Sequence, residues 1–211
     1  MAGPGVFIAF EGGEGAGKST QVARLAASLT DGGHSVRTTR EPGATALGTT
    51  VRSIVLDPAN TGLSARAEAL LYAADRAQHV HEVVRPALAA GQVVLTDRFV
   101  DSSLAYQGAG RSFAESDIRS ISHWATEGLQ PDLTVLLDLP PETGLARARG
   151  RAAADRLEAE SVDFHERVRA TFRALAAAEP GRYLVLDATG TPDALAAAVR
   201  DRVAVLLGAG W

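Results

Sequence analysis

Eight consecutive residues, Gly12-Gly13-Glu14-Gly15-Ala16-Gly17-Lys18-Ser19, carry the spacing G-x-x-x-x-G-K-[ST] of a phosphate cradle. Glycines at these positions let main-chain N–H groups close around phosphate oxygens, and a helix beginning at the lysine adds favourable partial charge. A compact ammonium at Lys18 suits the β- and γ-phosphates, and the Ser19 hydroxyl suits Mg²⁺, with Thr20 completing the cradle. Lys18 is the sole lysine among 21 lysines and arginines, so the one ammonium in the chain lies in this motif. The chemistry implied is binding of a nucleoside triphosphate. A guanine-specific Asn-Lys-x-Asp element is absent, because Asn60 is the only asparagine and Lys18 the only lysine.

Other residues could act beside the cradle. Asp97 ends an apolar run, where a P-loop enzyme places a carboxylate near Mg²⁺; the other reading is a carboxylate paired with an arginine. Arg98 offers a guanidinium fork for a phosphate, or a partner for Asp97. Tyr72 and Arg76 are four residues apart on a helical pattern and share a face; Ser103 and Gln107 are also four apart, and the other reading of Ser103 is a helix-start or turn residue. Arg147, Arg149, Arg151 and Arg156 crowd one stretch, where they repel one another unless anions join them; Glu158 and Glu160 are partial local partners. His34, His79, His81, His123 and His165 show no metal-ligand spacing and are given no catalytic role.

These residues need a scaffold. Strand-like runs at 6–10, 36–40, 93–97, 133–139 and 183–187, apolar except for 36–40 and their charged ends, alternate with helical patterns at 18–29, 45–56, 64–90, 116–127, from 142, 162–178 and 193–207. Pro86 is expected to bend the long helix. The alternation predicts an α/β fold, a five-stranded parallel sheet with helices on both faces. Ligands in such sheets sit at the carboxyl ends of strands, where most of the candidate residues fall. The 211 residues suit a single domain, 1–211.

Composition narrows the classes. A net charge of -4 argues against a general nucleic-acid or membrane-surface binder. No cysteine is present, which excludes disulfides, thiolate zinc sites and cysteine catalysis. Residues 1–5 show no signal-peptide pattern and no apolar run reaches membrane-spanning length, so the expectation is a soluble cytoplasmic protein.

Six further segments, in order, resemble thymidylate kinases: Arg40-Glu41-Pro42-Gly43-Ala44-Thr45, residues 70–79, Asp97-Arg98-Phe99, residues 102–108, Pro131-Asp132-Leu133-Thr134 and Asp155-Arg156-Leu157-Glu158. The resemblance spans nearly the whole chain and implies a P-loop NTPase fold of the nucleoside monophosphate kinase type. It also implies transfer of the γ-phosphoryl of Mg-ATP to dTMP, a step in dTTP synthesis. By the same resemblance, Arg98 binds the acceptor phosphate, Tyr72 stacks on thymine where phenylalanine is more usual, and Arg76 donates to thymine O4. Ser103 and Gln107 then lie near the base, Tyr106 crowds C2′, and Glu14 lies near the 3′-OH. Residues 147–160 resemble a lid. With no arginine in the P-loop, Arg149 and Arg151 are the candidates for a lid-supplied catalytic arginine. Residues 187–191 resemble a loop flanking adenine. A homodimer is also implied.

Overall fold

The computed structural model describes residues 5–111, 113–150 and 155–208. Five parallel strands form one sheet in the order β2-β3-β1-β4-β5: β1 (Val6–Glu11), β2 (Val36–Arg40), β3 (Val93–Asp97), β4 (Leu133–Asp138) and β5 (Tyr183–Asp187). The central strand β1 is apolar throughout because both of its faces are covered. Ile8 and Phe10 pack with Val22, Leu25 and Leu29 of α1 (Lys18–Asp31) and Val199 and Val203 of α9 (Pro192–Leu207). Phe7 and Ala9 point to the other face, against Val80, Val84, Ala87 and Phe99. A third apolar cluster joins α2 (Ala46–Leu56), α3 (Ala65–His79) and α8 (Val162–Ala178) through Val51, Val55, Tyr72, Phe164 and Phe172. The remaining helices are α4 (Arg85–Ala89), α5 (Val100–Ser103), α6 (Glu115–Thr126) and α7 (Pro141–Arg149).

Helix starts follow local chemistry. Thr45, Ser64, Ser161 and Thr191 each accept a hydrogen bond from a backbone N–H of the first turn of α2, α3, α8 and α9. The long pattern at 64–90 is helical, but its irregularity lies before Pro86: residues Val80–Val84 form a π-helical turn. Proline cannot donate and crowds the carbonyl four residues back, and a widened turn accommodates that. A second π-helical turn, Leu104–Gly110, continues α5, so residues 100–110 are helical where sequence periodicity indicated nothing.

Strand register decides where the chemistry sits. Phe10 pairs with Asp97, and Asp97 with Arg40, so the chain leaves β1, β3 and β2 side by side at their carboxyl ends. The cradle then packs backbone to backbone against α7. A Cβ on Gly144 would lie 2.2 Å from the Glu14 carbonyl oxygen, and one on Gly15 would lie 2.1 Å from that of Gly144. Gly144→Ala is therefore expected to lower unfolding free energy by about 1–3 kcal/mol, as overpacking does. Urea denaturation measures this, and an unchanged midpoint would contradict the close approach.

Candidate active site

The cradle departs from ordinary backbone geometry at Gly12, Gly15 and Gly17, with φ of 137°, 65° and 94°. That left-handed region costs glycine little and other residues much. Gly17 caps α1, whose first N–H groups open towards the cavity formed by Gly15 to Thr20. Lys18 is buried, and its Nζ donates to the carbonyl oxygens of Gly12 (3.0 Å) and Gly13 (2.8 Å). Burial, and then the Arg98 cation, depress its pKa. Ser19 Oγ donates to Asp97 Oδ2 at 2.6 Å, which brings together the two residues expected at a metal.

Arg98 follows β3 with φ of 74°, unusual for a residue other than glycine. Its partner is Glu14, at 2.6 Å from Nη2, and not Asp97. Nη1 donates to Gly12 O (3.2 Å) and Ser102 Oγ (3.1 Å), and the guanidinium lies 4.9 Å from the Tyr106 ring centroid. The Tyr106 hydroxyl also donates to Glu14 Oε1, at 2.8 Å. Burial would raise the Glu14 carboxyl. Arg98, Lys18 and the Tyr106 hydroxyl outweigh it and hold the group down to about 2.

A second cavity opens beside the cradle. Tyr72, Arg76, Ser103, Tyr106 and Gln107 all line it, as expected of an acceptor pocket. Arg76 is no surface arginine: at 1% exposure it donates to Glu41 Oε2 (2.8 Å), Ser103 Oγ (3.1 Å) and Phe99 O (3.0 Å). Three acceptors for five guanidinium N–H groups leave donors for a ligand. Glu41 is itself held by His79 Nδ1 at 2.8 Å. Gln107 donates to Glu68 Oε1 at 2.9 Å. Burial would raise Glu68, but bonds from Gln107, Arg111 and Arg156 keep it below the usual carboxylate range.

The two cavities share Glu14, Glu41, Arg52, Arg98 and Asp155 in their walls. Of the arginine-rich stretch, Arg149 ends α7 and is exposed, while Arg147 donates to Ala188 O at 3.1 Å. Arg156 differs from the expectation of an arginine cluster over a nucleotide. It turns inward to the buried carboxylate of Glu68 and to Val55 O (2.8 Å), while Glu160 is paired with Arg111. Arg151 lies outside the described residues. Glu11, Glu41, Glu68 and Ser102 complete the site without having been singled out. For Glu11 the readable signal was a charge ending a buried strand; for Glu41, its place in a Pro-Gly turn after a strand.

The family model for thymidylate kinase matches residues 10–199. The chain is 54% identical over 209 residues to the thymidylate kinase of Solidesulfovibrio magneticus, covering 96% of this chain and 100% of that one. It is 56% identical over 209 residues to that of Clavibacter michiganensis subsp. michiganensis, covering 98% of each. Among solved structures, thymidylate kinase from Ehrlichia chaffeensis superposes with a TM-score of 0.73 at 32% identity, covering 87% of this chain and 93% of that one.

The depressed Glu14 carboxyl has a consequence for acid stability. A group titrating at about 2 when folded, and at 4.5 in its ordinary state, contributes stability above the latter value that is lost as pH falls towards the former. Glu14→Gln is expected to lose less stability than the parent between about pH 5 and about pH 3. Equal acid sensitivity in urea unfolding would contradict the ion pair.

Proposed function

This chain belongs to the thymidylate kinase family, and from that premise we propose that its two adjoining cavities hold the donor and acceptor of one phosphoryl transfer. The protein phosphorylates dTMP to dTDP with ATP. The single observation that carries the assignment of sites is the junction: Arg98 and Glu14 stand in the wall of both cavities, beside Lys18.

In this reading Gly12, Gly13, Glu14, Gly15, Ala16, Gly17, Lys18, Ser19 and Thr20 hold the ATP phosphates. Lys18 exchanges its carbonyl partners for phosphate oxygens, which relieves a buried ammonium of its poorest surroundings. Arg98 takes the dTMP phosphate from the other side. An acceptor phosphate oxygen is already ionised near neutral pH, so in-line attack on the γ-phosphorus needs no strong base. Tyr72 and Arg76 bind thymine, Ser103 and Gln107 line the base, and Tyr106 and Glu14 bound the sugar. Residues 147–160 act as a lid over one 1–211 domain. Arg149 and Arg151 supply charge to the transferring group and closure excludes water. Ala148, one residue from Arg149, lines the donor cavity. Residues 187–191 flank adenine.

The donor set fits Mg²⁺. Ser19 Oγ and Asp97 Oδ2 are hard oxygen donors beside the cradle, and among the described residues no cluster of three acidic or histidine side chains could hold a metal without phosphate help. When bound, the ion neutralises phosphate charge.

A dTMP-dependent ADP-release assay, with other monophosphates in parallel, tests these roles. Lys18→Ala is expected to lower kcat by about 100-fold or more. Arg76→Ala is expected to raise KM for dTMP by about 10-fold or more while sparing ATP. Arg149→Ala combined with Arg151→Ala lowers kcat. Normal kcat in the first or last, or a change confined to ATP in the second, contradicts the respective role.

We also place the protein in the cytoplasm as a homodimer. No described helix is long and apolar enough to cross a membrane. Packed helices α2, α3 and α6 leave Leu47, Ile54, Leu70 and Trp124 exposed, an apolar surface that a second copy would cover. Sedimentation should give twice the 21.9 kDa chain mass, and a monomer would contradict the dimer.

A further inference from the structure

Glu11 ends the central strand and its side chain is fully buried, and the hydrogen bonds its carboxyl accepts come from the turn after β3 and from α5. Oε1 accepts from the backbone N–H of Phe99 (2.8 Å) and of Ser102 (3.2 Å), and Oε2 lies 2.6 Å from Ser102 Oγ. These bonds fall directly after the strained residue Arg98 (φ 74°) and at the start of α5. On the near side, Arg98 N–H is tied to Phe10 O at 2.9 Å, so the turn is pinned by two successive residues of β1. Ser102 Oγ also accepts from Arg98 Nη1 at 3.1 Å. A chain of contacts thus runs from Glu11 through Ser102 to the guanidinium.

A left-handed, non-glycine residue persists only where its surroundings overdetermine it. The cost of the tether is visible as well. Burial, and then the neighbouring Asp101 charge, push the Glu11 carboxyl well above the usual range. A buried carboxyl of that kind is unfavourable for stability unless it is fully bonded, and an apolar residue would fill the end of β1 with less penalty. The two backbone bonds to Oε1 are available whether or not Oε2 carries a proton.

We propose that Glu11 is a positioning residue for the acceptor phosphate: its carboxyl holds the turn that presents Arg98 and, through the Ser102 hydroxyl, aims the guanidinium. The inference rests on the assignment of Arg98 to the dTMP phosphate. It predicts a larger effect on the acceptor than on ATP, because the Glu11 carboxyl bonds Phe99 and Ser102 and meets the cradle's Gly12 and Glu14 only by way of Arg98.

Steady-state kinetics with each substrate varied in turn test it. Glu11→Ala removes every acceptor and is expected to raise KM for dTMP by about 10- to 100-fold, as a small misplacement of a positioning group does, with KM for ATP changed by a clearly smaller factor. Glu11→Gln keeps an oxygen for both backbone N–H groups and is expected to restore most of the loss. Where the alanine variant does not fold, Glu11→Asp, which shortens the reach of the carboxyl, carries the same expectation of a selective rise. Equal changes in both KM values, no change in either, or a glutamine variant as damaged as alanine would overturn the proposal. Arg98→Ala separates this from its footing. If that variant leaves KM for dTMP unchanged, the Arg98 assignment fails; if it raises KM while the Glu11 variants do not, only the present inference fails.

Discussion

A carboxylate inside a phosphate cradle is tolerable only beside a cation, and the pairing of Glu14 with Arg98 is the constraint around which the site is built. Without Arg98, Glu14 would repel the anions that the cradle gathers. Without Glu14, the buried Lys18 ammonium would face the Arg98 cation, which already depresses its pKa, with one carboxylate fewer to offset it. The pair also decides location. Glu14 belongs to the loop after β1 and Arg98 to the turn after β3, so the bond joins the two adjoining cavities where adjacent parallel strands end.

The rest of the architecture maintains that meeting. Phe10 pairs with Asp97 in the sheet, which sets the two loops level. The close approach of Gly144 to Glu14 supports the cradle from behind. On the acceptor side a second buried network does similar work. Arg76 is locked by Glu41, Ser103 and Phe99, and Glu41 by His79, so the guanidinium that faces the base cavity is held in one orientation before any ligand arrives. Glu68 ties the wall of that cavity, through Gln107, to Arg156 within residues 147–160, the stretch proposed as a lid. The cavity lined by Tyr72 and Arg76 and the arginine-rich stretch therefore share an anchor.

Much of this was legible in the residues alone, for definite reasons. The cradle is a local device whose glycines and lysine announce it. The three central strands are buried along nearly their whole length, and largely apolar runs of that kind can be little else in an alternating chain. The long-range partners were not legible. Arg98 stands next to Asp97 in sequence, but a left-handed turn swings its side chain towards Glu14, 84 residues away. Arg156 sits among other arginines and near acidic residues, but Glu68, buried and 88 residues earlier, takes it. The helix at 100–110 was hidden by Gly108 and Gly110, poor helix formers that tertiary packing overrides. Glu11 reads as the end of an apolar strand until the turn that it tethers is seen.

The most direct test is a crystal structure with a bisubstrate analogue, adenosine and thymidine joined through a polyphosphate bridge. The predicted result has the bridge lying across the junction, one end on the main-chain amides of residues 12–19 and Lys18, the other on Arg98. A bridge bound away from that junction, with Arg98 touching no phosphate, would contradict the account.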